Sequence, residues 1–183
     1  MISPEGVSYI GGLLARAREF CLLSVPTING YRRFNPKYTM SPTSADWRFE
    51  DRSAMIRAVG ENDSAHVENR IGEPCANPYL AIAAQLSAGL EGLTAGTSVN
   101  GSVVLGTADR DSSHSGLPLS LGEALEAFRE SGHAEELLGA PLKACLLKLK
   151  ESEVARFGAW YAAARPTKDE VTEWEQREYF GVF

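Results

Sequence analysis

Residues 77–93 read Asn-Pro-Tyr-Leu-Ala-Ile-Ala-Ala-Gln-Leu-Ser-Ala-Gly-Leu-Glu-Gly-Leu, and this run constrains the fold more than any other. Asn77 suits an N-cap, where a side-chain oxygen accepts from amides that the helix leaves unpaired. Pro78 suits the first turn, where its missing N–H costs nothing. From Tyr79 to Leu93, Leu, Ile and Ala occupy all sides of the helix rather than one stripe. A helix that is apolar all round belongs in an interior, so this one is expected to be buried. The 183 residues suffice for one domain with a sizeable core.

The elements around this helix follow from pattern and punctuation. Leu13, Leu14, Ala17, Phe20 and Cys21 predict an amphipathic helix over 5–23, with a poorly formed start at Ser3-Pro4. Residues 24–34 hold Pro26, Asn29-Gly30 and the pair Arg32-Arg33, which reads as a loop. The polar stretch 35–47, with Pro36 and Pro42, extends it. Residues 53–59 and 65–71 read as strands, joined by hairpin chemistry over 60–64. Residues 94–119, rich in Gly, Ser, Thr and Asp, read as a long surface excursion. Ser120 and Glu123 form a capping box opening a helix to about Ser131. A long helix follows Pro141 to about Ala164, and Thr172 with Glu175 opens a short terminal helix. Helix, loop, hairpin, then helices predict an α+β fold, with antiparallel strands packed against several helices.

Composition excludes several classes. Hydrophobic residues make up 44%, charged residues 23%, and mean hydropathy is −0.19, the profile of a folded soluble chain. A net charge of −6 argues against nucleic acid as a partner, because phosphate contacts need a basic face. Arginines gathered locally can still bind a phosphate or carboxylate. Cys21, Cys75 and Cys145 are widely spaced with no CxxC pair, and predict reduced packing thiols in a cytoplasmic protein. His66, His114 and His133 lack zinc-ligand spacing. No secretory leader and no membrane span are expected.

Two constellations could carry chemistry. On a strand, alternate side chains share a face, so His66, Glu68 and Arg70 point one way. A carboxylate beside an arginine suits a metal ion and an anionic group. A solvated strand face with a cross-strand salt bridge is the commoner outcome of such a pattern. The second constellation is Arg32, Arg33, Arg48, Arg52, Arg57 and Arg70, clustered within an acidic protein. It reads either as an anion site or as surface charge balance. Arg52 and Arg57 serve one site only if Arg52 precedes the strand or a bulge intervenes. Cys75 lies near a helix start, a position that can lower a thiol pKa, although an inert packing role is the default. Trp47, Trp160 and Trp174 are too separated in sequence to suggest an aromatic cage. The stretch Gly101–Gly106 lacks the spacing of a phosphate-binding loop.

These motifs together resemble the glutamine synthetase family. The matching runs are Asn29-Gly30-Tyr31-Arg32-Arg33, Asp51-Arg52-Ser53-Ala54-Met55-Ile56-Arg57, His66-Val67-Glu68-Asn69-Arg70 and Asn77-Pro78-Tyr79-Leu80 through Gly92-Leu93. The tail from Val171 to Glu175 also looks like the family's final helix. The resemblance covers nearly the whole chain and implies the C-terminal part of the catalytic domain. It implies an ATP-dependent ligase that phosphorylates the γ-carboxylate of glutamate and joins ammonia or an amine to it. ATP and Mg2+ or Mn2+ are the implied cofactors. Arg33 and Arg70 look like substrate-carboxylate binders, Arg52 and Arg57 like phosphate and nucleotide contacts, and Glu68 like a metal ligand. Arg33 and Arg52 would thereby act on the reacting groups.

The departures from the family pattern carry their own expectations. His66 stands where the family often has an arginine. The stretch Lys37-Tyr38-Thr39-Met40-Ser41-Pro42 lacks the flap glutamate of the glutamine-forming enzymes. The wording resembles the divergent branch that includes γ-glutamyl-amine ligases, which points from ammonia toward an amine. The family's N-terminal β-grasp domain and first metal-binding glutamates have no counterpart here. Residues 1–183 therefore read as one partial catalytic domain, expected to be inactive alone and to need a complementary chain or homo-oligomer. The alternative is a non-catalytic remnant or structural oligomerisation domain.

Overall fold

The structure, a computed structural model, describes residues 2–35, 37, 40–97, 99, 116–167 and 170–182. In chain order the elements are α1 (Pro4–Ala15), α2 (Ala17–Ser24), a 3-10 turn (Asn29–Arg33), β1 (Trp47–Phe49), β2 (Ile56–Val59), a second 3-10 turn (Asn62–Ser64), β3 (His66–Asn69), α3 (Pro78–Ala95), α4 (Leu121–Glu130), α5 (Gly132–Leu138), α6 (Ala140–Ala164) and α7 (Glu173–Tyr179). Helices and a small sheet make the expected α+β arrangement. His114, the Gly101–Gly106 stretch and most of the excursion after α3 lie outside the described residues.

The helix expected over 5–23 is two helices, broken at Arg16 (φ −101°, ψ 5°). Its start is well formed, contrary to expectation. The Ser3 hydroxyl accepts from the Gly6 amide at 3.1 Å, and Pro4 fills the first turn. Arg16 at the break donates to Glu91 of α3 at 2.8 Å and to Glu19 at 2.9 Å.

Helix α3 has the expected cap: Asn77 Oδ1 accepts from the Tyr79 amide at 3.0 Å and the Leu80 amide at 3.4 Å. Its expected burial on all sides is overturned. Ala84, Ala88, Gly89 and Gly92 are buried, but Tyr79, Ile82, Leu86 and Leu90 are each more than half exposed. The reason lies in side-chain size. The smallest residues face α1 and let the two backbones meet. A Cβ on Gly12 would lie 1.9 Å from the Ala88 carbonyl oxygen, and one on Gly92 would lie 2.2 Å from that of Ser8. Contact that close covers one stripe, and the large apolar residues point the other way.

The sheet has the order β1-β2-β3. β2 and β3 pair antiparallel as expected, with Arg57 opposite Glu68. Both are shorter than the 53–59 and 65–71 runs. Gly60 at φ +75° and the turn Asn62–Ser64 make the hairpin link. β1 was not expected, and it pairs parallel to β2, so the sheet is mixed rather than wholly antiparallel. Parallel neighbours usually need a longer crossover. Here residues 50–55 suffice, because Glu50 adopts φ 53° and Asp46 accepts from the amides of Met55 and Ile56 at 3.1 and 3.0 Å.

Ile10, Phe20, Met55, Ile56, Leu125 and Phe128 join α1, α2, the sheet and α4 in one core. Ser120 caps α4 through the Glu123 amide (3.1 Å), but Glu123 answers to the Leu119 amide at 3.0 Å instead of Ser120, so the expected box is half formed. The box on α7 is complete. Trp160 and Trp174, distant in sequence, both pack on Phe157, with centroids 6.3 and 5.1 Å away. Of the expected packing thiols, Cys21 is buried and Cys145 is exposed. No helix among the described residues is long and apolar enough to cross a membrane.

Candidate functional site

The hairpin of β2 and β3 gathers the expected charged residues on one face. Arg57 and Glu68 are direct cross-strand partners, with Arg57 Nη1 donating to the two Glu68 oxygens at 3.2 and 3.3 Å. Arg70, two residues along the same face, donates from Nη1 to Glu68 Oε2 at 3.1 Å. Glu68 is therefore bracketed by two arginines. Burial acts to raise its pKa, but the hydrogen bonds from Arg57 and Arg70 outweigh it and hold the carboxyl below its usual range. His66 sits at the edge, with Nδ1 2.8 Å from the Ser64 carbonyl and Nε2 4.0 Å from Glu68. The opposite face of β3 turns inward, where Asn69 donates to Gln85 of α3 at 3.1 Å.

Arg57 has a second carboxylate that the sequence reading missed. Glu50 meets its Nη2 and also accepts from the Gly60 amide at 3.3 Å. The Glu50 side chain reaches Arg57 because of its positive φ, which no pattern of residue types announces. The buried Nε of Arg57 is unpartnered.

Arg52 precedes β2, in the turn before it, which meets the condition for sharing a site with Arg57. Its carbonyl accepts from Arg70 Nε at 3.0 Å, so the turn is tied to β3. The Arg52 side chain is exposed, and among the described residues no side chain pairs with it. Arg70 Nη2 also reaches the Met40 carbonyl at 3.5 Å, bringing the 35–47 segment against the hairpin at Met40. Tyr38 and Thr39, in the stretch without a flap glutamate, lie outside the described residues.

The Arg32-Arg33 pair lies on a 3-10 turn rather than an open loop. Arg33 donates from Nη2 to the Ile71 carbonyl, just beyond β3, and its guanidinium is 5.3 Å from the Phe34 ring centroid. Its buried Nε is unpartnered. Burial pushes its pKa down, Glu73 opposes that, and the Arg70 charge adds to it. Arg33 is thus tied to the residue that follows Arg70, where an anionic group would meet both positive charges. Two other arginines of the constellation are structural. Arg48 pairs with Asp46 and Asp51 at 2.9 and 3.1 Å, and Arg32 pairs with Glu175 at 2.6 Å.

Glu73 was also missed. It accepts from the Thr27 amide at 2.9 Å and the Thr27 hydroxyl at 3.0 Å. Burial raises its pKa against those bonds. Glu73 has no periodic partner in the sequence, so no local signal marks it. Burial and Glu73 together raise the Cys75 thiol, the opposite of the lowering that a helix start can give.

The arrangement suits anion binding better than metal binding. Arg33, Arg52, Arg57 and Arg70 gather positive charge at one place, with Arg52 free of side-chain partners among the described residues, and guanidinium groups suit carboxylate or phosphate. Glu68 offers one carboxylate, whereas magnesium takes near-octahedral oxygen ligation. Among the described residues no group of three or more His, Cys, Asp or Glu could hold a metal. The described residues thus offer one carboxylate toward a metal ion and not a full ligand set.

The family profile described as the glutamine synthetase catalytic domain matches residues 1–179. The chain is 39% identical to a γ-glutamylanilide synthase of Acinetobacter sp, over all of this chain and 36% of that protein. It is 33% identical to a glutamine synthetase of Thermococcus kodakarensis, over 99% of this chain and 42% of that protein. A solved structure described as a GmaS/ADP complex superposes with a TM-score of 0.71 at 29% identity, covering 98% of this chain and 40% of that one. The chain thus spans about two fifths of the length of the proteins it matches.

Proposed function

The chain belongs to the glutamine synthetase catalytic-domain family, and on that premise we propose that it supplies the C-terminal part of the active site of an ATP-dependent carbon–nitrogen ligase. The reaction is amide formation on the γ-carboxylate of glutamate: ATP phosphorylates the carboxylate, and a nitrogen nucleophile displaces phosphate. The observation that carries this reading is Glu68 held between Arg57 and Arg70, with Arg33 tied from a separate element to the Ile71 carbonyl that follows Arg70.

The roles are those the family resemblance implies, and the positions of the residues are compatible with them. Arg33 and Arg70 hold a substrate carboxylate, which meets both positive charges. Arg52, exposed beside the hairpin, meets a phosphate. Arg57, held by Glu50 and Glu68, adds positive charge toward the nucleotide. Such arginines stabilise the charge that develops as phosphoryl passes to the carboxylate. Glu68 would be one ligand to a bound Mg2+ or Mn2+, which would supply positive charge against the phosphates. The remaining ligands would come from outside the residues described, in the first part of the catalytic domain or a neighbouring copy. An amine acceptor is favoured over ammonia by the absence of a flap glutamate between Lys37 and Pro42 and by the likeness to a γ-glutamylanilide synthase.

A second reading, a structural or oligomer-forming domain, has one observation behind it: the exposed apolar stripe of α3. Calorimetric titration with Mg-ATP separates the two. Binding in the micromolar range, abolished by Arg57→Ala, is expected. A chain that binds no nucleotide yet self-associates would overturn the ligase reading in favour of the structural one.

A further inference from the structure

We propose that Glu175, on the C-terminal helix α7, is a positioning residue for the turn that carries Arg33, acting through Arg32. The proposal rests on the reading of Arg33 as a substrate-carboxylate binder. Arg32 Nε donates to Glu175 Oε1 and Arg32 Nη2 to Oε2, both at 2.6 Å, a bidentate pair joining residues 143 positions apart. Such two-point pairing fixes orientation as well as distance. The Glu175 side chain is only 1% exposed, so the pair holds one geometry instead of exchanging with water.

Glu175 is itself held before Arg32 meets it. Its Oε2 accepts from the Thr172 amide and hydroxyl, each at 2.7 Å. Burial acts to raise its pKa, but Arg32 and Thr172 together hold it below the ordinary carboxylate range, so it presents a charge. The same helix reaches the turn at a second point. The Tyr179 hydroxyl accepts from the Ile28 amide at 2.9 Å, and it donates to the buried Glu153 of α6.

The geometry of a 3-10 turn makes this contact matter to Arg33. With three residues per turn, consecutive side chains diverge by about 120°. Arg32 drawn toward α7 therefore sends Arg33 away from it, toward Ile71 and Arg70. The start of the turn is fixed independently. Glu73 holds Thr27, the Thr27 hydroxyl accepts from the Gly30 amide at 3.1 Å, and a Cβ on Gly30 would lie 2.3 Å from Glu73 Oε2. With the start anchored at Glu73 and the end at Glu175, the turn has one rotational setting. Glu175 touches no substrate in this arrangement, and its effect passes through the backbone from Arg32 to Arg33.

The test compares Glu175→Gln and Arg32→Lys with the unaltered protein, by calorimetry with L-glutamate and with Mg-ATP, and by hydrogen exchange over 27–34. Losing a charge-assisted pair is expected to weaken glutamate binding by about tenfold or more in Glu175→Gln. Mg-ATP affinity should stay within about twofold, because Arg52 and Arg57 sit on the hairpin. Arg32→Lys keeps one charged bond to Glu175 and loses the second, so its loss of glutamate affinity should be smaller than that of Glu175→Gln. Exchange at the Ile28 amide, which α7 holds, and at the Phe34 amide, which closes the turn, should quicken in Glu175→Gln, whereas exchange at Gly30, anchored through Thr27 and Glu73, should not. Unchanged glutamate affinity and exchange in Glu175→Gln would overturn the proposal, as would equal loss of both ligands, which marks general destabilisation. If the unaltered protein binds no glutamate, the substrate reading of Arg33 falls. The exchange comparison then still decides whether α7 sets the turn.

Discussion

Gly92→Ala and Gly158→Ala make the same chemical change at two helical positions, and the structure predicts opposite signs. In an open helix, replacing glycine by alanine removes backbone freedom from the unfolded chain and gains about 0.5–1 kcal/mol. Gly158 lies on the exposed side of α6, and a Cβ there would meet no heavy atom within 4 Å, so it should show the full gain. At Gly92 the new Cβ would lie 2.2 Å from the Ser8 carbonyl oxygen and 2.6 Å from the Gly12 amide nitrogen, against an ordinary contact of 3.4–4 Å. Both obstacles are backbone of α1, which cannot swing aside as a side chain can. The helices must part by about 1 Å, near the upper end of the 1–3 kcal/mol that overpacking costs. Subtracting the propensity gain leaves a net loss of about 2 kcal/mol. For a chain of this size each kcal/mol moves Tm by about 2–4 °C. Gly92→Ala should therefore melt about 4–8 °C lower, and Gly158→Ala about 1–4 °C higher, by circular dichroism. Urea unfolding should show equal slopes, so that the midpoints report stability. Gly92→Ala melting at or above the unaltered protein would refute the reasoning that α1 and α3 meet backbone to backbone.

Acid titration should expose the Arg32–Glu175 pair in stability as well as in binding. Glu175 has a folded pKa below its unfolded value, so its contribution is present at neutral pH and lost as pH falls through the folded pKa. Glu175→Gln should cost about 2 kcal/mol at pH 7, and the gap to the unaltered protein should close below the ordinary carboxylate range. A gap independent of pH would show that the charge is not what matters there. Thiol labelling should separate the cysteines. Cys145 is exposed and should react with a chromogenic disulfide in the native state, whereas Cys21 is buried, with its thiol pushed up to about 12, and should react only on unfolding. Rapid native labelling of Cys21 would contradict its place in the core.

What the sequence determined by itself was local. The cap at Asn77, the box of Thr172 and Glu175, and the hairpin at Gly60 follow from a few neighbouring residues satisfying nearby backbone groups, and all three stand in the structure. The shared face of Glu68 and Arg70 follows from the two-residue period of a strand, which needs no knowledge of the rest of the chain. The order of the motifs was enough for the family. Tertiary structure decided the rest. Nothing local distinguishes Arg32 from Arg33, yet one is bound to a carboxylate 143 residues away and the other is tied to the Ile71 carbonyl that follows Arg70. Glu50 meets Arg57 from a residue with φ 53°, and β1 joins β2 across a short link that Asp46 braces. The composition of α3 called for burial all round, but which stripe is covered depended on where Gly12 and Gly92 let another backbone approach. Periodicity and capping are properties of a segment, while pairing and burial are properties of what the other segments bring to it.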